Sequence, residues 1–231
     1  MEITYLHHSG FVVEQKNTVL VFDYYTENGQ YDDFDPYDLK YKGKKIFFFV
    51  SHAHSDHYDQ KILTFSNRVN YIVFHEIIHC HGAKTLKVIA NRMYQYESLL
   101  IYTFRSTDEG VAFLVKSEDK TIFHAGDLNW WHWEGESDYA NKKMEHAYQR
   151  EIDELYRLLN GIALDVAMIP VDGRLGASFS WAYDYFVHKI SVRIVFPMHF
   201  WGHFPICGIL KEMHPHENIA IISHENETFS L

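Results

Sequence analysis

The sequence is poor in cysteine and in long apolar runs, and each scarcity excludes a class of protein. Its two cysteines, Cys80 and Cys207, are too few for a disulfide scaffold, and without a C-x-x-C pair they do not predict a zinc knuckle. A reducing, cytoplasmic setting is therefore expected. Apolar runs such as 46–50 are far too short to cross a bilayer, and Met1-Glu2-Ile3 lacks the basic start of a signal peptide. We expect no membrane partner.

Basic residues are also in the minority. Lys and Arg number 21 against 31 Asp and Glu, which leaves a formal net charge of −10. Such a chain repels a phosphate backbone, so no nucleic-acid partner is expected. A hydrophobic content of 47% and a charged content of 23% are typical of a protein with its own core. A length of 231 residues suits one domain over 1–231.

Histidine, in contrast, is abundant. The chain has 17 histidines, about one residue in fourteen, and histidine is the commonest metal ligand in proteins. The composition alone therefore points toward a metal site.

Apolar patterning predicts an α/β protein that is rich in strands near its start and alternates strands and helices near its end. Strands are predicted at 3–6, 11–14, 19–22, 45–50, 71–74, 86–89, 99–104, 111–115, 121–123, 165–169, 193–196 and 219–222. Helices are predicted at 137–159, 178–188 and 205–213.

The most specific motif is His52-x-His54-x-Asp56-His57, directly after the predicted strand 45–50. In a loop that leaves a strand, His52 and His54 can converge on one ion while Asp56 and His57 turn toward a second. A plain polar loop is the alternative. It is disfavoured because imidazoles spaced this closely repel one another when protonated and need a cation or solvent.

Two later segments also place metal-binding side chains just past a predicted strand. In His124-Ala125-Gly126-Asp127, Gly126 permits a tight turn and Asp127 can bridge two cations; taken alone, Asp127 could equally cap a turn. In Pro197-Met198-His199, the final imidazole can complete the shell of the second ion.

These motifs resemble the metallo-β-lactamase superfamily, and the resemblance covers nearly the whole chain. The opening segments Ile3-Thr4-Tyr5-Leu6, His8-Ser9-Gly10-Phe11 and Val21-Phe22-Asp23 look more specifically like its small stand-alone hydrolases related to the ascorbate-6-phosphate lactonases. The resemblance implies a four-layer αββα sandwich with a binuclear metal site.

The family's pattern also implies a role for each motif residue. His52 and His54 would hold one metal, Asp56, His57 and His199 the other, and Asp127 would bridge them. Asp23 would be a carboxylate that braces the histidine loop, although a residue at a strand end can also be an ordinary cap.

The sequence departs from the family's pattern at one position. The family supplies a further histidine about twenty residues before the bridging aspartate, and Asp108 stands in that place here. A carboxylate ligand suits harder ions, which moves the expectation from zinc toward manganese or iron, unless Asp108 is an exposed turn residue. His75, His79 and His81 are rival ligands, but we expect them on a surface helix or rim.

Aromatic residues follow several of these motifs and predict the walls of a substrate pocket. Trp131 and Trp201 would line it, and His132 would protonate a leaving group or simply pack among the tryptophans. Arg174 could bind a substrate carboxylate or phosphate beside Asp172, or pair with Asp172 instead.

The sequence therefore predicts a metal-dependent hydrolase. Two divalent ions, zinc first with manganese or iron as alternatives, would supply a hydroxide that Asp56 and Asp127 orient. That hydroxide would cleave a lactone, an ester or a phosphodiester in a small molecule. Two alternatives stay open: a di-iron protein that handles oxygen, and a non-catalytic metal-binding module with a degenerate first site.

Overall fold

The chain folds into two compact units, each built around one mixed β-sheet. A computed structural model describes residues 1–31, 34–65, 67–82 and 84–231. Unit 1 comprises Met1–Ile89 with Ser223–Leu231, and unit 2 comprises Ala90–Ile222. The expectation of a single domain over 1–231 stays a prediction.

In chain order, the strands of the described residues are β1 (Glu2–Tyr5), β2 (Phe11–Glu14), β3 (Thr18–Phe22), β4 (Lys45–Val50), β5 (Val69–Phe74), β6 (Thr85–Val88), β7 (Met93–Tyr96), β8 (Leu99–Arg105), β9 (Val111–Ser117), β10 (Lys120–His124), β11 (Val166–Pro170), β12 (Val195–Met198) and β13 (Thr228–Ser230). The helices are α1 (Asp138–Leu159), α2 (Trp181–Lys189) and α3 (Pro205–Met213), with short 3-10 helices at Leu39–Tyr41, Gln60–Phe65 and Gly173–Ser178.

The sheet of unit 1 has the order β13-β1-β2-β3-β4-β5-β6. Its β13, β1, β2 and β3 pair antiparallel, whereas β3 to β6 run parallel. Residues Ile46, Phe47, Phe48 and Phe49 of β4 are fully buried. Burial of successive residues on both faces is what a parallel strand inside an α/β unit requires.

The sheet of unit 2 has the order β12-β11-β10-β9-β8-β7. Strands β7 to β10 pair antiparallel, and β10, β11 and β12 run parallel. The carboxyl ends of neighbouring parallel strands meet at one edge of a sheet, which is where α/β proteins place ligand sites. Each unit therefore presents one such edge.

Helix α1 is capped at both ends and has one apolar face. The Ser137 hydroxyl accepts a hydrogen bond from the Ala140 N–H at 3.2 Å, and Asn160 ends the helix in a left-handed conformation. Ile152, Leu155 and Leu159 are buried along one face.

The structure differs from the prediction at two predicted elements and in two strands that were not predicted. The segment 219–222 is not a strand and contributes only the isolated bridge between Val195 and Ile219. Helix α2 begins at Trp181 instead of residue 178, because a 3-10 helix with Gly176 at φ 58° occupies the preceding turn. Strands β7 and β13 have no counterpart among the predicted elements.

No helix in the described part of the chain combines the length and the apolar character needed to cross a membrane. Cys80 and Cys207 are both buried. The cytoplasmic location, and the expected lack of nucleic-acid and membrane partners, stay predictions.

Candidate metal centre

The loop after β4 brings together three of the four metal-binding side chains of its motif, those of His52, His54 and His57. The ring centroids of His52 lie 4.6 Å from His54 and 4.2 Å from His57. Nε2 of His52 is 3.0 Å from Nδ1 of His54. His52 and His57 are buried while His54 is exposed. Ring nitrogens facing one another at this distance form an arrangement that a shared cation can satisfy.

Asp23 holds this loop from the end of the neighbouring parallel strand β3. Its carboxylate accepts hydrogen bonds from the Ser51 N–H at 2.8 Å and the Ser51 hydroxyl at 2.7 Å. The same carboxylate lies 2.8 Å from Nδ1 of His57. A proton on Nδ1 leaves Nε2 of His57 with its lone pair, the form in which imidazole binds a metal.

His52 is oriented in the same way. The Ser51 hydroxyl donates to Asp23, so its oxygen is an acceptor for Nδ1 of His52, 2.9 Å away. This assignment of the proton again leaves Nε2 as the ligand atom, and it rests on the hydrogen-bond network. Asp23 thus acts on two imidazoles, directly on His57 and through Ser51 on His52.

The structure adds His8, whose position could not be predicted from the sequence. His8 is fully buried in the turn between β1 and β2, at φ 56°. Its Nε2 lies 3.4 Å from Oδ2 of Asp56, and its ring meets His57 edge to face at 5.3 Å. Ligand atoms of His8, Asp56 and His57 all lie within 4.8 Å of one another. The one signal in the sequence was the pair His7-His8 before the Ser9-Gly10 turn.

Gly10 allows that turn to pack closely. A Cβ at this position would lie 3.0 Å from the His7 carbonyl oxygen and 3.1 Å from the Asp23 carbonyl oxygen. The glycine therefore lets the backbone of the His8 turn approach the backbone of Asp23.

The Asp56 carboxyl is held in its ionised form. Burial would raise its pKa, but the hydrogen bond from His8 and the nearby His57 hold that pKa well below its usual range. An ionised carboxylate beside imidazole nitrogens is a donor set suited to a divalent cation.

In unit 2, Asp127 lies in a tight turn directly after β10. Gly126 adopts φ 51°, and its N–H donates to Nδ1 of His124 at 3.2 Å. The Asp127 carbonyl accepts from the Trp131 indole N–H at 3.1 Å. Its side chain is buried, with Oδ1 3.3 Å from Nε2 of His199. The turn thus presents the carboxylate to the imidazole that follows β12.

The neighbouring turn, between β8 and β9, is bound to this one through Thr107, a residue that the sequence did not single out. The Thr107 hydroxyl donates to the Asn129 carbonyl at 2.6 Å and accepts from the Asn129 N–H at 3.0 Å. Asp108 itself is exposed, and its N–H donates to the Ser106 hydroxyl at 3.2 Å. Its role as a metal ligand stays a prediction.

His199 is oriented by a carboxylate, as His57 is. Its Nδ1 lies 3.0 Å from Oδ2 of the buried Asp172, which follows the parallel neighbour β11. Arg174 contacts both oxygens of Asp172 at 2.5 to 3.0 Å. Burial would raise the pKa of Asp172, but hydrogen bonds from His199 and Arg174 lower it to about 2. Arg174 thus pairs with Asp172, and its role in binding substrate stays a prediction.

Tryptophans surround this part of unit 2. Trp131 meets His199 edge to face at 5.3 Å and stacks parallel to Trp133 at 6.1 Å. The Arg174 guanidinium lies 5.8 Å from the Trp133 ring and 5.2 Å from the Trp201 ring, both within cation–π range. The ring centroids of His132 and Trp181 lie 4.5 Å apart. The His132 ring therefore packs against the first residue of α2.

The rival histidines do not gather. His75, His79 and His81 are exposed in the segment that follows β5, not on a helix. In the residues that the structure describes, they join no group of three converging metal-binding side chains.

Residues 2–134 match the sequence model of the β-lactamase superfamily domain. The chain is 25% identical over 217 residues to the UPF0173 metal-dependent hydrolase of Nanoarchaeum equitans, which covers 87% of this chain and 84% of that protein.

Two solved structures are similar in fold. Igni18, a metallo hydrolase from the archaeon Ignicoccus hospitalis, superposes with a TM-score of 0.69 at 18% identity, covering 100% of this chain and 98% of that one. CmlA, a diiron β-hydroxylase from Streptomyces venezuelae, superposes with a TM-score of 0.62 at 12% identity, covering 100% of this chain and 54% of that one. At these identities the likeness shows the fold alone.

Proposed function

The chain belongs to the metallo-β-lactamase superfamily as an enzyme of its metal-dependent hydrolase class, and on that premise we propose that it cleaves a lactone, ester or phosphodiester bond in a small molecule with two divalent ions as cofactors. The α/β fold expected for this superfamily is confirmed. The finer resemblance to ascorbate-6-phosphate lactonases stays a prediction.

The observation that carries the proposal is the convergence of ligand atoms from His8, Asp56 and His57 to within 4.8 Å of one another. Imidazole nitrogen and carboxylate oxygen are ligands for zinc, manganese and iron, so the donor set fits a divalent ion. We propose that the ligands of the two ions are His52, His54, Asp56, His57, Asp108, Asp127 and His199, with His8 as a further ligand beside Asp56 and His57. When bound, two such ions lower the pKa of a water molecule toward neutrality and polarise the bond to be cleaved.

Two carboxylates prepare the imidazoles for this role. Asp23 fixes Nδ1 of His57, and Asp172 fixes Nδ1 of His199. In both cases Nε2 is left as the donor atom. A carboxylate at Nδ1 of a histidine thus occurs in both units, which supports a function that needs oriented imidazoles with Nε2 as the donor atom.

Asp56 and Asp127 are the residues that we assign to the attacking water. The Asp56 carboxyl, whose pKa lies below its usual range, stays ionised and accepts a hydrogen bond from that water. Asp127, buried beside His199, does the same from unit 2. We assign protonation of the leaving group to His132. Since ligands from both units are needed, we also propose that residues 1–231 act as one domain.

The test is a hydrolysis screen over lactones, esters and phosphodiesters with metal-free and metal-reconstituted protein. We expect turnover only after addition of zinc, manganese or iron. His57→Ala and Asp127→Ala should remain folded by circular dichroism and lose turnover. Undiminished hydrolysis by the metal-free protein would reject the mechanism.

A di-iron protein that handles oxygen is the second candidate function. The observation that favours it is the exposed Asp108 carboxylate, which stands where the family supplies a histidine and is connected through Thr107 to the turn that carries Asp127. Iron with visible absorption in the purified protein supports this candidate, whereas colourless protein with zinc or manganese supports hydrolysis. Protein that binds one ion or none, even after reconstitution, supports a degenerate binding module.

A further inference from the structure

Unit 2 contains an apolar cavity beside Asp172 that the proposed chemistry leaves unused. Its volume is about 460 Å³, within the range of about 300 to 1,000 Å³ for small-molecule sites. Its lining is mostly apolar, with Phe179, Phe200, Trp201, Ile206 and Ile209, and the polar side chains that line it are Asp172, Arg174 and His203.

The cavity is separated from the proposed metal ligand His199 by a single side chain, that of Asp172. Asp172 lines it and also contacts His199 through the 3.0 Å hydrogen bond. Trp201 lines it as well, with its ring edge to face with His199 at 5.9 Å. A molecule that occupies the cavity therefore lies close to the His199 imidazole.

The walls favour an uncharged, apolar occupant. Phe200 and Ile206 are buried, and Trp201 and Ile209 are partly exposed at the opening. Arg174 is part of the lining, but its charge is balanced by Asp172, because both oxygens of that carboxylate contact its guanidinium. Its face packs against Trp133 and Trp201, which extends the flat, weakly polar surface around the opening.

We propose that this cavity binds an uncharged aliphatic or aryl group of the substrate. The inference rests on the proposed hydrolysis and narrows its substrate class, from lactones, esters and phosphodiesters in general to those that carry such a group. Apolar burial then provides most of the binding free energy, while the bond to be cleaved stays near His199.

The test measures binding without turnover. The probes are n-alkanols from butanol to octanol, which have no hydrolysable bond, titrated against the metal-reconstituted protein with tryptophan fluorescence as the signal. Each added methylene should tighten binding about three- to fourfold until the cavity is full. Carboxylates of the same carbon number should bind no tighter than the alkanols.

Two variants locate the binding in this cavity. Gly173→Leu directs a side chain at Ile206, since a Cβ at Gly173 would lie 3.4 Å from Cδ1 of Ile206, and it should abolish the dependence on chain length. Ile209→Asp changes a side chain that is 47% exposed and should weaken octanol binding about tenfold without unfolding the protein. The matched control is Ile221→Asp, 51% exposed and outside the cavity, which should bind as the wild type does.

Affinity independent of chain length, an unchanged dependence in Gly173→Leu, or carboxylates that bind tenfold tighter than alkanols would each overturn the inference. Its failure is distinguishable from failure of the proposed function. If affinity depends on chain length but no substrate is hydrolysed, the proposed function is rejected and the binding role of the cavity is retained. If substrate is hydrolysed but affinity does not depend on chain length, the binding role is rejected and the proposed function is retained.

Discussion

At the scale of single residues, the carboxylates that contact imidazoles explain how neutral histidines are presented to a metal. Asp23 contacts His57 and Ser51 from the end of β3, and Asp172 contacts His199 from the end of β11. A carboxylate in this position fixes both the tautomer and the direction of the ring. Loss of either one should weaken metal binding without removing a ligand.

Asp23→Asn tests this role directly. The amide cannot accept from Ser51 and His57 as the carboxylate does, so His57 loses its fixed orientation. We expect metal affinity to fall about 10- to 100-fold, measured by competition with a chromophoric chelator. Asp119→Asn, at an acid that is 84% exposed, is the control and should bind metal normally. Equal affinities in the two variants would contradict the assignment.

The acid sensitivity of the metal-free protein should depend on Asp172. Its pKa is lowered to about 2 in the folded state, whereas an unfolded aspartate has a pKa of about 3.9. A lowered pKa adds stability that is present above the unfolded value and is lost as the pH falls through the folded value. Between about pH 4 and pH 2, the free energy of unfolding should therefore fall less steeply in Asp172→Asn than in wild type. Parallel urea-unfolding profiles would contradict this prediction.

At the scale of elements, the parallel strands of each sheet determine where the functional side chains lie. Asp23 and the histidine loop follow the neighbours β3 and β4, and Asp127, Asp172 and His199 follow β10, β11 and β12. Strand ends that share one edge bring together residues that are distant in sequence.

The turn between β1 and β2 is closely packed around Gly10. In Gly10→Ala the new Cβ would lie 3.0 Å from the His7 carbonyl oxygen and 3.1 Å from that of Asp23. We expect a loss of about 1 to 3 kcal/mol in the free energy of unfolding, together with weaker metal binding. Gly208→Ala is the control, because it lies inside α3 with no atom within 4 Å of its Cβ. It should gain about 0.5 to 1 kcal/mol. A loss in both variants, measured by urea unfolding, would contradict the account.

The sequence predicted the elements whose own residues show a clear pattern, and it missed the strands that are stabilised mainly by pairing with a neighbouring strand. The apolar run of β4 and the caps of α1 are local features, so both elements lie close to their predicted bounds. Strand β7 alternates exposed and half-buried residues at the edge of its sheet, and β13 has only three residues paired with β1. Both are stabilised by pairing with a neighbouring strand, which a single sequence does not show.

The same distinction applies to the candidate site. His52, His54, Asp56 and His57 share one short motif and could be read from it. His8 joins Asp56 only because the turn between β1 and β2 folds back on the histidine loop. Likewise, the contact between Arg174 and Asp172 depends on side-chain geometry that the spacing of the two residues in the sequence does not show.

At the scale of the whole molecule, the proposal that both units supply ligands predicts cooperative unfolding of the metal-reconstituted protein. Differential scanning calorimetry should show one transition whose calorimetric and van't Hoff enthalpies agree. Excess metal should raise its midpoint, and a chelator should reverse that rise, because an ion that binds only the folded state stabilises it by mass action. Two separate transitions in the metal-loaded protein would contradict the single domain.

The metal content of the purified, reconstituted protein tests the central claim most directly. Inductively coupled plasma mass spectrometry should find two divalent ions per chain in the wild type, and fewer in both His57→Ala and Asp127→Ala. A wild-type chain that hydrolyses its substrate while holding no ion, or two variants that each retain a full complement, would contradict it.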